Sequence, residues 1–255
     1  MTETCVACGG TAVAPDGHCW ECGTPQPAFR AHLELTITGG AAGVSDRGPK
    51  REINADAMAL TRAGAWTIGV VCDGVSMSPR ADRAAQVAAE TGAAATAAGL
   101  RAGELPETAL AGAAIRAGRA VAALAASVHA APACTYVAGV AGPEGIWSCW
   151  IGDSRAYWLP DEGVGMTMTE DDTGAHEALS AWLGADAPEP EPRLRGYRPP
   201  VPGHLLLCTD GLWRHLAGAL PKGRDRLDVA RKLVGHAIDA GGQDNITALL
   251  IPVTS

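Results

Sequence analysis

The sequence predicts an α+β chain: antiparallel sheets with helices packed outside them, preceded by a small zinc-ribbon-like segment. Three observations carry this. Short apolar runs bounded by turn residues lie on both sides of two long Ala-rich periodic stretches. Strands, a helical pair and strands again do not alternate as parallel βαβ units do. Finally, Cys5, Cys8, Cys19 and Cys22 crowd a beginning with too little apolar material for a core.

"CVACGG" and "CWECGT" are both Cys-x-x-Cys-Gly. Two residues between thiolates let both sulfurs face one ion, and the glycine permits the tight turn. Four thiolates suit a closed tetrahedral structural Zn²⁺ site, whose binding would supply the folding free energy. A redox dithiol pair is the alternative, and His18 could replace one Cys as ligand. "APDGH" supplies a turn between the pairs and "GTPQPA" a linker, so residues 1–28 form one unit and 29–255 another.

The body reads in order. "HLELTITGGAAG" and "AWTIGVVCDG" are strands, the second buried on both faces. "PRADRAAQVAAETGAAATAAGL" opens with Pro and early charge, as helices do, and "PETALAGAAIRAGRAVAALAASVH" repeats the pattern. Strands follow at "CTYVAGVAG", "GIWSCWIGDSRAYWL" and "HLLLCTDGLW", then a helix at "RLDVARKLVGHAIDA" and a last strand at "NITALLIPV". Residues 161–202 are rich in Pro, Asp, Glu and Gly and read as a surface excursion.

With 255 residues, 47% hydrophobic, 19% charged and net charge −8, the chain has ample core material. The acidic balance argues against a nucleic-acid partner, since phosphate binding leaves a basic patch. No apolar run is long enough for a membrane span and no secretory signal opens the chain, so a cytoplasmic protein is expected. Cys72, Cys134, Cys149 and Cys208 sit singly in apolar stretches and read as small buried hydrophobes.

Three aspartates share a context. Asp73 ends "IGVVCDG", Asp210 ends "LLLCTDG", and Asp244 precedes "NITALLI". Three unrelated turn aspartates are one reading. If the strand ends converge, three carboxylates meet, and repulsion raises their pKa values or demands a cation. Oxygen ligands without His or Cys favour Mg²⁺ or Mn²⁺. Two such ions, about 3.5–4 Å apart and bridged by one carboxylate, activate water for attack on phosphorus. Gly74 would let a backbone carbonyl approach the same ion.

In motif order and spacing the chain resembles the metal-dependent protein phosphatase family (type 2C, or PPM). "VSDRGPKREINADAMAL" is similar to its Gly-x-x-Arg-x-x-Asn-Glu-Asp box. "VVCDGVS", "IGDSRAYWL", "LLLCTDGLW" and "GGQDNITALLI" match its later boxes in order. The resemblance covers residues 33–253. It implies a four-layer αββα sandwich of two antiparallel sheets flanked by helix pairs. It implies a bacterial serine/threonine phosphatase acting on phosphoproteins, among them kinases or their targets.

By that resemblance Asp73 bridges two Mn²⁺ or Mg²⁺ ions, the Gly74 carbonyl reaches one of them, and Asp210 and Asp244 hold the other. Asp56 orients the attacking water, Asp153 serves a third ion, and Arg51 binds the substrate phosphate. Asn245 supports strand geometry. Two departures stand out: Ala55 replaces the Glu of the first box, and "DGVSMS" lacks a histidine some members carry. His176 and His215 read as solvated or structural. Two rival functions remain: a serine hydrolase using Ser154, and a non-catalytic zinc-ribbon adaptor on a degenerate phosphatase body.

Overall fold

The computed structural model describes residues 4–254 other than 12, 15–16, 27–29, 128, 176–177, 217–222 and 224. His176 and parts of the expected turn and linker in the N-terminal segment therefore lie outside the described residues.

Alternation along single strands builds the core. β12 (Gly203–Cys208) turns Leu205 and Leu207 to one side and Leu206 and Cys208 to the other. β4 (Trp66–Cys72) does the same, with Ile68, Val70 and Cys72 opposite Val71. Both faces are covered, which is why these runs carry no polar alternation. Each fully buried Leu or Ile contributes about 1.5–3 kcal/mol relative to exposure, so these two strands are among the most firmly anchored parts of the chain.

Two antiparallel sheets result. One has the order β1 (His32–Thr36), β2 (Ala42–Asp46), β13 (Ile246–Val253), β12, β8 (Arg155–Pro160), β9 (Met166–Thr167). The other has the order β11 (Arg193–Tyr197), β7 (Gly145–Ile151), β6 (Tyr136–Gly142), β4, β3 (Ala57–Ala63). Leu205, Leu207, Leu249 and Ile251 of the first meet Val71, Val137 and Ile146 of the second in a buried middle layer. Outside the second sheet lie α1 (Ala81–Arg101) and α2 (Pro106–Ala122). Outside the first lie α4 (Arg226–Asp239) and the short α3 (Asp210–Trp213). The αββα layering expected of the chain is present.

Ala84, Ala85, Ala88, Ala89, Ala93 and Ala97 form the buried stripe of α1. Such small side chains bury little area each, and Tyr136, Ile68 and Leu110 fill the layer they leave. Asp225 caps α4, accepting from the backbone N–H of Leu227 at 3.0 Å.

Five details differ from the sequence reading. Residues 32–43 form not one strand but the β1–β2 hairpin, turned at Gly39–Gly40. The long run 145–159 breaks at Gly152–Ser154 and crosses between sheets, β7 to β8. β3 was not expected at all. α2 stops at Ala122, short of the expected 129. The excursion 161–202 contains β9, β11 and β10 (Leu183–Gly184), the last paired with β5 (Ala133–Cys134). No helix among the described residues is long and apolar enough to cross a membrane.

Candidate active site

Asp56 immediately precedes β3 and is buried. Its Oδ2 accepts from Thr209 Oγ1 at 2.8 Å and Thr247 Oγ1 at 2.7 Å, tying β3 to β12 and β13. Its Oδ1 is buried without a hydrogen-bond partner among the described residues. Burial, reinforced by Asp210 and Asp244, pushes its pKa up to about 7 despite the two hydroxyls.

Asp73 follows β4, held by backbone exchange with Thr135. Its N–H donates to Thr135 Oγ1 at 3.0 Å, and the Thr135 N–H donates to its carbonyl at 2.8 Å. Burial drives its carboxyl far above the usual range, and the charges of Asp56, Asp210, Asp244 and Asp153 add to that. Gly74 donates its N–H to the Ala55 carbonyl at 3.2 Å, joining this strand end to the loop before β3.

Asp210 is the first residue of α3. Its Oδ2 accepts from Arg214 Nε at 2.9 Å, while Oδ1 is buried and without a hydrogen-bond partner among the described residues. Gly211 follows because nothing larger fits: a Cβ there would lie 2.0 Å from the Asn245 carbonyl oxygen. The Asp-Gly pair therefore does more than turn the chain; it lets α3 start against the residues that open β13. Asp244 takes a two-pronged bond from Arg51, Nε at 2.8 Å and Nη2 at 2.6 Å. Asp153 sits at the crossover between sheets, where burial first, then Asp210 and Asp171, pushes its pKa up to about 6.

Asn245 pins the Arg51 loop. Its Nδ2 donates to the carbonyls of Arg47 at 2.8 Å and Ile53 at 2.9 Å, and its Oδ1 accepts from the Ala55 N–H at 2.8 Å. Arg51, Asp210, Asp244 and His215 border one open cavity of about 490 Å³. Ser154 is buried, its hydroxyl 2.7 Å from that of Thr135, with no histidine bonded to it among the described residues.

The five carboxylates fit a divalent-cation site on chemical grounds. Burial first, and then neighbouring carboxylates, raise the pKa values of Asp56, Asp73 and Asp153; buried oxygens of Asp56 and Asp210 lack hydrogen-bond partners among the described residues, and the donor set is all oxygen. Arg51 and Arg214 offset part of the charge. Among the described residues no three of the aspartates bring oxygens within 4.8 Å of one another.

The four N-terminal thiols do converge, all within 4.8 Å. Cys5 and Cys22 lie 3.6 Å apart, as do Cys8 and Cys19. The two halves share one turn: Gly9 N–H bonds to the Cys5 carbonyl at 2.9 Å and Gly23 N–H to that of Cys19 at 2.8 Å. Gly9 and Gly23 have φ of 74° and 73°, left-handed values that explain the glycine after each pair. Backbone N–H groups, first that of Cys8 and then that of Ala7, pull the Cys5 thiol down to about 6. Cys8 accepts from the Gly10 N–H, yet Cys22 and Cys19 push it up to about 12. Four sulfurs this close cannot all ionise without a cation between them. His18 is turned away, 3.4 Å from Asp82.

Sequence reasoning missed the hydroxyls. Thr209, Thr247 and Thr135 hold Asp56 and Asp73, and the Trp213 indole N–H holds the Asp153 carbonyl at 2.8 Å. The only sequence signal was threonine beside an aspartate at a strand end, too common to single out.

The sequence profile of the protein phosphatase 2C family matches residues 49–249. Among curated proteins none matches the chain. Solved structures do. The serine/threonine phosphatase Stp1 from Staphylococcus aureus is 19% identical, with TM-score 0.70, covering 88% of this chain and 98% of its own. The PPM Ser-Thr phosphatase MsPP from Mycobacterium smegmatis, solved with cacodylate, is 25% identical, with TM-score 0.68, covering 87% of this chain and 100% of its own. The catalytic domain of the phosphatase PstP, solved with 2 manganese ions, is 24% identical, with TM-score 0.63, covering 84% and 97%. On the span of the family match, the chain belongs to the protein phosphatase 2C family and is a protein-serine/threonine phosphatase.

Proposed function

We propose that the chain hydrolyses phosphoserine and phosphothreonine in proteins with water, at a binuclear Mn²⁺ or Mg²⁺ centre. The observation that carries this is the set of neighbouring carboxylates, Asp56 buried and the others partly so, beside a phosphate-competent arginine. Asp73 would be shared by two ions, with the Gly74 carbonyl on one and Asp210 and Asp244 on the other. Asp153 would hold a third. Bound there, the ions lower the pKa of water and draw charge from the phosphoryl oxygens.

The chain's own side chains bind and orient. Arg51 spends two of its five N–H donors on Asp244 and keeps three for the substrate phosphate. Asp56 is fixed by Thr209 and Thr247, and its remaining oxygen is the acceptor that orients the attacking water. Residues 1–28 form a separate unit from the phosphatase domain 29–255, with Cys5, Cys8, Cys19 and Cys22 holding one structural Zn²⁺. Phosphorylated serine/threonine kinases and their targets are the expected substrates.

A serine-hydrolase role for Ser154 is disfavoured by its burial and its bond to Thr135. The adaptor reading rests on Ala55 alone. The test is phosphate release from a phosphothreonine peptide. Mn²⁺ should support it, EDTA abolish it, and Asp73→Asn reduce it by about three orders of magnitude or more while the circular-dichroism spectrum is kept. Near wild-type turnover by Asp73→Asn would sink the two-metal reading.

A further inference from the structure

The four-cysteine segment does not hang free of the body. Gly17 and Gln26 close on Asn54 and Asp82 with only about 20 Å³ left between them. Just beside this contact the two parts separate into an open cleft of about 280 Å³. His18, Gly23 and Pro25 of the segment line it together with Ser76, Ser78 and Arg80 of the loop between β4 and α1. Arg51, the candidate phosphate-binding group, is also part of its lining, with Ala55 and Asn245.

Resting on the phosphatase reading, we propose that this cleft holds the polypeptide of the phosphoprotein substrate on one side of the phosphorylated residue, making the four-cysteine segment a specificity wall.

Three features favour a peptide there. The cleft carries two charged side chains, Arg80 and Glu52, that make no hydrogen bond or ion pair among the described residues. A peptide bearing complementary charges supplies what they lack. Where a Glu is expected from the sequence pattern, Ala55 lines the cleft and leaves one carboxylate fewer in it. The segment wall is also tied to the sulfurs. Gln26 donates through Nε2 to Cys5 Sγ at 3.4 Å, accepts from the Val6 N–H at 3.1 Å, and its own N–H reaches the Gly17 carbonyl at 3.0 Å. Ordering the thiols around an ion therefore orders Gly17 and, with it, His18 and Pro25, which line the cleft.

The experiment compares p-nitrophenyl phosphate, which has no polypeptide to lie in the cleft, with two phosphothreonine peptides. One carries Asp residues on both sides of the phosphothreonine, the other Lys residues. Arg80→Glu should raise KM for the Asp peptide at least fivefold and lower it for the Lys peptide. Glu52→Lys should do the reverse. Neither should change turnover of p-nitrophenyl phosphate. Cys19→Ser/Cys22→Ser should raise KM for both peptides and again spare the small substrate, whose turnover reports that the body is folded. Unchanged peptide KM values in all three variants would overturn the cleft assignment while leaving the phosphatase intact. Failure of the wild type to hydrolyse p-nitrophenyl phosphate with Mn²⁺ would instead overturn the phosphatase reading, and the cleft with it.

Discussion

Arg51 is the residue whose surroundings say most about its behaviour. Its guanidinium grips Asp244 with two bonds, and Asp244 raises its pKa further. It thus competes with any cation that needs Asp244, and it must share that carboxylate to reach a phosphate. Arg51→Ala should raise KM for a phosphopeptide about tenfold through the lost charge-assisted bonds. The same change should lower the Mn²⁺ concentration needed for half activation, because the competing cation is gone. Titrating activity against Mn²⁺ at saturating substrate separates the two effects. A weaker Mn²⁺ requirement would stand against the idea if it failed to appear.

At the scale of elements, the N-terminal segment brings its four sulfurs within 4.8 Å of one another. Full-length protein should retain one zinc per chain by elemental analysis after mild EDTA treatment. Cys19→Ser/Cys22→Ser should lose it, with the segment then cut by trypsin far faster than the body. Zinc absent from the intact chain would refute the assignment. The Cys-x-x-Cys-Gly repeats made this element legible, because ligand spacing and a left-handed glycine leave few alternatives. The buried runs of β4, β12 and β13 were equally legible, since each is a continuous apolar stretch with an aspartate at its end. β3 was not: "AMALTRA" is mostly Ala, Met and Leu, good helix formers, and only pairing with β4 makes it a strand. β11 hid for a related reason. "RLRGY" is a half-exposed strand paired with β7, its arginines reaching Glu170 and Asp172 in ion pairs no local pattern announces. The three aspartates were readable as strand-end residues, whereas the threonines that hold them depend on contacts across more than thirty residues of chain.

For the molecule as a whole, the buried carboxylates set a pH dependence. Asp56 and Asp153 are held at about 7 and about 6, above their ordinary value of 3.8, by burial first. Between the two values the folded chain binds more protons than the unfolded one, so stability falls as pH rises through that window. His32, raised by Asp46, acts in the same direction, and His204, lowered by burial, opposes it. Metal-free protein should therefore melt a few degrees higher at pH 5.5 than at pH 7.5, and saturating Mn²⁺ should erase or reverse the difference. Thermal melts at the two pH values, in EDTA and in Mn²⁺, check this. A metal-free protein more stable at pH 7.5 would contradict it.

The position of β13 has a consequence for how the molecule comes into being on the ribosome. It lies in the middle of its sheet, between β2 and β12, and brings Asp244, Asn245 and Thr247 with it. Until residues 244–253 have been synthesised, β2 and β12 have no neighbour on that side, Asp56 lacks one of its two hydroxyls, and the Arg51 loop has no anchor. Between the synthesis of β12 and that of β13 the nascent chain thus carries two short strands with open edges, the situation in which aggregation competes with folding. Its acidic character offers some protection during that wait, and the last strand closes the sheet and the catalytic rim in one event.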